Sequence, residues 1–229
     1  MRMKTIFLLS LLFLATCSSD NIVEKEKKEI WNVFKNLKPK VLAEVISNTN
    51  NRELKKTRLW LSKFKQPIIL ISSLDKKNQA TLVALGNNEE KLTWVSADGI
   101  SVSYDQGVLI ATRGYSQDLL SLQYKNPEKV FALSYSQYNK VHRYLNGDND
   151  YFDIHFECSG KKYTSKTLQM LDYKITVDRF VEDCKSENYK YVNEYDLLAG
   201  TTIVVKSKQW ISPTNESFLT YSFYAFQKF

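Results

Sequence analysis

The chain has 229 residues, with 32 Lys or Arg against 25 Asp or Glu for a net charge of +7, and 13% of its residues are aromatic. That length and aromatic content suffice for one core of ordinary size, so one domain is expected. The basic residues are spread along the chain, with no arginine-rich helix and no zinc-finger spacing, which argues against a nucleic-acid partner and leaves a basic face toward anionic lipid or acidic polysaccharide.

The N-terminus reads as an export signal: Arg2 and Lys4 supply the positive start, Thr5 to Ala15 the apolar core, and Leu14-Ala15-Thr16-Cys17 a small-residue cleavage region ending in a thiol. The apolar run is about eleven residues, whereas a membrane-crossing helix needs roughly twenty, so retention as a span is the weaker alternative. Leu14 to Cys17 resembles the lipobox of bacterial lipoproteins, in which the cysteine sulfur receives a diacylglyceryl group and the new amine is acylated after cleavage. An ordinary secretory signal with a coincidental cysteine is the competing reading. Residues 1–16 are then a lipoprotein signal peptide, 17–22 a lipidated tether, and 23–229 a β-rich periplasmic domain. Three acyl chains on Cys17, at about 0.8 kcal/mol per buried methylene, would anchor it stably, since two chains already suffice. By the lipoprotein retention rule, Ser18 rather than aspartate after the lipidated cysteine favours the outer membrane. Removing Arg2 and Lys4 leaves a charge of +5.

Along the domain, Ile30, Val33, Phe34 and Leu37 fall at helical spacing within Glu24 to Leu37, which predicts one amphipathic helix that Pro39 ends or kinks. Beyond Arg52 the period shortens. Alternation from Leu59 to Phe64 is followed by the apolar run Ile68 to Ile71, which reads as a buried strand. Strands are expected at Ala80 to Leu85, Leu92 to Ala97, Ile100 to Tyr104 and Val108 to Thr112, divided by turn formers at Asp75 to Asn78, Gly86 to Asn88, Asp98-Gly99 and Asp105 to Gly107. Ser116 to Tyr124 reads as one or two helical turns capped by Ser116. Further strands are predicted at Val130 to Tyr135, Asn139 to Leu145, Tyr151 to Glu157, Tyr173 to Glu182, Tyr189 to Tyr195, Thr201 to Trp210 and Ser217 to Gln227. The alternations Tyr189, Tyr191, Asn193, Tyr195 and Phe218, Thr220, Ser222, Tyr224, Phe226 place aromatics along one strand face. A dozen short strands with one convincing helix imply an all-β antiparallel meander, an open or closed barrel or sandwich. In an exported protein Cys158 and Cys184 read as a disulfide, with two buried free thiols as the alternative. Closing about 27 residues would stabilise by about 3.5 kcal/mol.

Tested catalytic signatures are absent: no Gly-x-Ser-x-Gly, His-Glu-x-x-His, phosphate-cradling glycine loop or Cys-x-x-Cys occurs. His142 and His155 lie on separate strands at no ligand spacing. Asp148, Asp150 and Asp153 cluster at a turn but lack the EF-hand glycine and terminal glutamate, so solvated turn carboxylates are expected rather than calcium. No metal and no cofactor are expected. Trp94 and Trp210 offer flat faces for sugar stacking, although strand aromatics more often fill a core.

Two stretches carry a family likeness. Pro67 to Leu122 contains Leu92-Thr93-Trp94-Val95-Ser96-Ala97-Asp98-Gly99 and Gly107-Val108-Leu109-Ile110-Ala111-Thr112-Arg113-Gly114 followed by Asp118-Leu119. Cys158 to Pro213 contains the cysteine pair, then Tyr191 to Tyr195 and Val205-Lys206-Ser207-Lys208-Gln209-Trp210-Ile211-Ser212-Pro213. With the lipobox, these resemble the group four capsule polysaccharide lipoprotein family, GfcB/YjbF. Lys208 stands where that family usually has arginine, and Leu197 to Gly200 replaces a more compact turn. The resemblance implies an outer-membrane lipoprotein serving capsule or exopolysaccharide assembly or export through the polymer or its export proteins. It points to Trp94, Arg113, Gln209 and Trp210 as binding positions and to no enzyme activity. The residues by themselves read as a hairpin turn at Asp98-Gly99, a strand-end charge at Arg113 and a core aromatic at Gln209-Trp210. Two other functions are compatible with this chain: a lipid or acyl-chain carrier with an apolar lumen, and a cell-wall glycan hydrolase using two carboxylates.

Overall fold

The computed structural model describes residues 61–62, 67–74, 78–88, 91–124, 127–146, 150–214 and 217–223. The signal peptide, Cys17, the tether and the helix expected over Glu24 to Leu37 lie outside the described residues, as does Asp148.

Twelve strands form one sheet. They are β1 Ile68–Ser73, β2 Gln79–Asn88, β3 Lys91–Val95, β4 Ser101–Asp105, β5 Val108–Arg113, β6 Leu119–Gln123, β7 Tyr135–Leu145, β8 Tyr151–Met170, β9 Tyr173–Lys185, β10 Lys190–Leu198, β11 Val204–Gln209 and β12 Phe218–Ser222, with a short helix α1, Pro127–Ala132, between β6 and β7. The spatial order is β5-β4-β3-β2-β1-β12-β11-β10-β9-β8-β7-β6. Every ladder is antiparallel. The meander is nearly closed, because the two edge strands, β5 and β6, are consecutive and are stitched by side chains. Leu119 N donates to Thr112 Oγ1 at 2.9 Å, and Thr112 Oγ1 donates to Asp118 Oδ1 at 3.0 Å.

Strand β1 is buried on both faces, which explains its unbroken Ile68 to Ile71 run. Ile69 and Ile71 join Leu82, Trp94, Val102, Leu119 and Tyr144 inside the barrel. Ile68 and Leu70 face outward into a second core with Val83, Val95, Val205 and, from the far end of the long β8–β9 hairpin, Met170 and Val177. Gln106 and Gly107 both have positive φ, 49° and 89°, giving the two-residue β4–β5 hairpin that its sequence predicts. A Cβ on Gly107 would lie 2.5 Å from Val204 Cβ, so the turn also needs glycine to approach β11.

Four expectations need correction. Ser116 to Tyr124 is not helical: Asp118 accepts from Gly114 N at 3.0 Å and Tyr115 N at 3.1 Å, turning the chain so that Leu119–Gln123 pairs with β7. Val130 to Ala132 belongs to α1 rather than a strand. Pro127 fits the first turn of a helix, where its missing N–H costs nothing, and Phe131 inserts between Phe180 and Tyr195 at ring separations of 5.2 and 5.0 Å. Gly86 to Asn88 continues β2 instead of turning, a register shift between Ala84 and Gly86 absorbing the irregularity. The alternation read from Leu59 to Phe64 does not extend the sheet at Leu61, which is helical and packs into the outer core.

Cys158 and Cys184 are directly opposed on β8 and β9 and form a disulfide. Replacing both by serine should lower unfolding free energy by about 3 kcal/mol in urea titrations, less any loss from residual denatured structure. An unchanged midpoint would show that the bridge does not constrain the chain.

Candidate functional site

The alternation that puts Tyr191, Asn193 and Tyr195 on one face of β10 aims all three into the lumen. Opposite them, β9 contributes Phe180, Glu182 and Cys184, and β7 contributes Tyr138, Lys140, His142 and Tyr144. The lumen therefore contains a buried ion pair. Lys140 and Glu182 are each 2% exposed, with Lys140 Nζ 2.7 Å from Glu182 Oε1 and 2.8 Å from Oε2. A dry carboxylate is tolerable only when its oxygens are occupied. Asn193 Nδ2 donates to Oε2 at 2.7 Å and Tyr138 to Oε1 at 2.5 Å. Burial, reinforced by the adjacent carboxylate, raises the Tyr138 hydroxyl far above its ordinary value and keeps it a donor.

From this centre hydrogen bonds cross the barrel. Asn193 Oδ1 accepts Trp210 N at 2.8 Å, and Tyr195 OH donates to Gln209 Oε1 at 3.2 Å. Gln209 is itself 1% exposed; its Nε2 donates to Gly107 O and Ser207 Oγ, both at 2.9 Å, while its Oε1 accepts Leu109 N at 2.8 Å. Tyr104 OH likewise reaches Thr220 Oγ1 at 2.7 Å.

One layer further along lies an aromatic cluster. Half-buried Trp210 stacks on Tyr191 at 4.7 Å and 8°, and Phe156 meets Tyr191 at 4.9 Å. His142 sits at its middle, Nδ1 3.0 Å from Tyr144 OH and Nε2 3.0 Å from Tyr191 OH. Burial first, and the Lys140 charge second, hold its pKa well below the ordinary value, so the imidazole is neutral with both nitrogens engaged. Neither nitrogen is presented to a metal or a substrate. Sulfurs joined in the Cys158–Cys184 bridge likewise offer no thiolate beside Glu182.

The positions singled out in the sequence fall apart in space. Trp94, 2% exposed, fills the inner core; Gln209 ties β11 to the β4–β5 hairpin; Trp210 lines the aromatic layer. Arg113 is exposed at the seam, donating to Thr112 O at 2.7 Å. Asp153 is clasped through both oxygens by Arg143 at 2.8 Å, which lowers its pKa and uses the oxygens a calcium ion would need. Exposed His155 lies in a furrow of about 410 Å³ on the outer face, with Asn139, Glu157, Lys185 and Glu187. Sequence reasoning missed Tyr138, Lys140 and Glu182 altogether. Their only trace was a lysine and a histidine alternating with tyrosines along β7.

The family described as Group 4 capsule polysaccharide lipoprotein gfcB, YjbF matches residues 28–220. The crystal structure of the hypothetical lipoprotein YmcC from Escherichia coli (K12) superposes with a TM-score of 0.64 at 14% identity, over 80% of this chain and 95% of that one, which shows a shared fold. A comparison with curated proteins finds no match.

Two measurements check the lumen chemistry. Glu182→Leu, which strands the Lys140 ammonium, should cost about 3–5 kcal/mol in urea unfolding, and the Lys140→Met/Glu182→Leu pair should recover most of it; a single variant within about 1 kcal/mol of wild type would contradict the pairing. Because the folded pKa of His142 lies below the unfolded value near 6.5, the unfolded chain takes up the proton first. Stability should therefore fall as pH drops below about 6.5, by up to about 1.4 kcal/mol per pH unit, and His142→Gln should remove that component. Parallel wild-type and variant curves between pH 7 and 5 would refute it.

Proposed function

This chain belongs to the group 4 capsule polysaccharide lipoprotein family, and on that premise we propose that it is a non-catalytic interaction module in capsule or exopolysaccharide assembly or export. In this reading, residues 1–16 are removed on export, Cys17 carries the acyl chains, and the barrel hangs in the periplasm from the outer membrane on a tether of residues 17–22. The carrying observation is the match over residues 28–220, which begins just beyond that tether and takes in every strand but the last two residues of β12. The matched family is one of lipoproteins, not a catalytic one.

The lumen chemistry supports a binding rather than a catalytic or carrier role. Glu182 is consumed by Lys140, Tyr138 and Asn193, and His142 by two tyrosine hydroxyls, so these buried groups are saturated by one another. Rings at 4.7 to 5.6 Å leave no gap between Phe156, Tyr191, His142 and Trp210 for an acyl chain. The outer furrow holds Glu157 with Lys185 opposite it in register, and Glu187. Trp94 and Gln209 are then structural, and partners are met on the outer surface.

Intact-mass analysis of membrane fractions tests the anchor. Wild type should begin at Cys17 with fatty-acyl mass, whereas Cys17→Ser should carry none, leave the membrane fraction and lower surface polysaccharide in the producing strain. Acyl-bearing wild type whose loss leaves surface polysaccharide unchanged would sink the proposed role.

A further inference from the structure

We infer that the outward face running from β7 across β8, β9, β10 and β11 to β12 is a docking strip for an acidic polysaccharide. The ladders set side chains in two adjacent rows on this face. One row is Tyr135, Lys161, Val181, Glu194 and Lys208; the other is Tyr163, Arg179, Asp196, Lys206 and Tyr221. At about 4.8 Å per strand, Tyr135 and Lys208 lie about 19 Å apart across the sheet.

Tyr135 and Tyr163 are 57% and 47% exposed, so their ring faces are open to solvent. They flank Lys161, whose Nζ sits 5.3 Å from the Tyr163 ring centroid. Flat apolar faces stack on sugar rings, and an adjacent ammonium attracts a carboxylate. The two acids in the rows do not oppose this, because Arg179 pairs with Glu194 at 2.8 Å, and Arg179 and Lys166 both hold Asp196 at 3.0 Å. Lys161, Lys206 and Lys208 enter none of the ion pairs among the described residues, so the strip presents a net positive field. Aromatic ends with uncompensated ammoniums between them match a chain of negatively charged sugars.

The inference rests on the reading that the chain serves capsule or exopolysaccharide assembly or export, and it adds the polymer's charge class and where it binds. The test uses the full chain in detergent micelles, titrated calorimetrically with polygalacturonate, with neutral dextran and phosphatidylglycerol vesicles as the other arms. Wild type should bind polygalacturonate and not dextran. Lys161→Glu/Lys208→Glu should weaken binding about tenfold or more, and Tyr163→Ala about threefold. Lys91→Glu/Lys174→Glu, an equal charge change away from the strip, should alter it less than about twofold. Unchanged far-UV circular dichroism confirms that these surface variants fold. Equal loss in both double variants, or stronger strip-dependent binding to the vesicles than to polygalacturonate, overturns the inference. So does a Lys161→Glu/Lys208→Glu strain with normal surface polysaccharide where Cys17→Ser abolishes it, an outcome that leaves the wider proposal standing.

Discussion

The requirement that a carboxylate buried in a barrel be satisfied on both oxygens organises this molecule. Glu182 meets it through Tyr138 and Lys140 from β7 and Asn193 from β10, and Asn193 and Tyr195 pass the constraint on to Trp210 and Gln209. Gln209 hands it to the β4–β5 hairpin through Gly107 and Leu109. Strands far apart in the sheet order are thereby locked to one another. A one-residue slip in β7, β9, β10 or β11 would turn an inward partner outward and leave a dry charge or amide behind. Such a network contributes less to net stability than to the choice of one register among many.

Because Glu182, His142, Asn193 and Gln209 spend their polar atoms on one another's neighbours and on backbone, these groups leave little chemistry for a ligand. Beside α1, Phe131 packs against Phe180 and Tyr195, and further along β10 Trp210 stacks on Tyr191. What the fold offers a partner is its outside, where tyrosines and lysines alternate with acids already neutralised in place. Attachment of this barrel to a membrane by lipid is consistent with membership of a lipoprotein family.

Much of the sheet was legible in the sequence, and the reasons are local. Ile68 to Ile71 after Pro67 reads as a buried strand, Asp98-Gly99 and Gln106-Gly107 are turn dipeptides, and the tyrosine alternation from Tyr189 identifies the lumen face of β10. The polar centre was not legible. Both faces of β7 are mixed, with Ser136, Tyr138, Lys140, His142 and Tyr144 on one and Gln137, Asn139, Val141, Arg143 and Leu145 on the other, so period two cannot say which is inside. Glu182 looks like any strand glutamate until Lys140, 42 positions away, is brought to it. Leu119 to Gln123 has leucines that suit a helix, and only the ladder offered by β7 makes it a strand. Pro127 opens α1, but the apolar residues after it read as a strand.

A titration of the isotope-labelled chain with capsular polysaccharide from the producing strain, followed by amide NMR, bears most directly on a solid interior with an interactive exterior. Shifts should concentrate at outward residues such as Tyr135, Lys161, Tyr163 and Lys208, with Lys140, Glu182, Asn193 and Gln209 unmoved. Perturbation centred on those inward residues instead would place the ligand in the lumen and contradict the account.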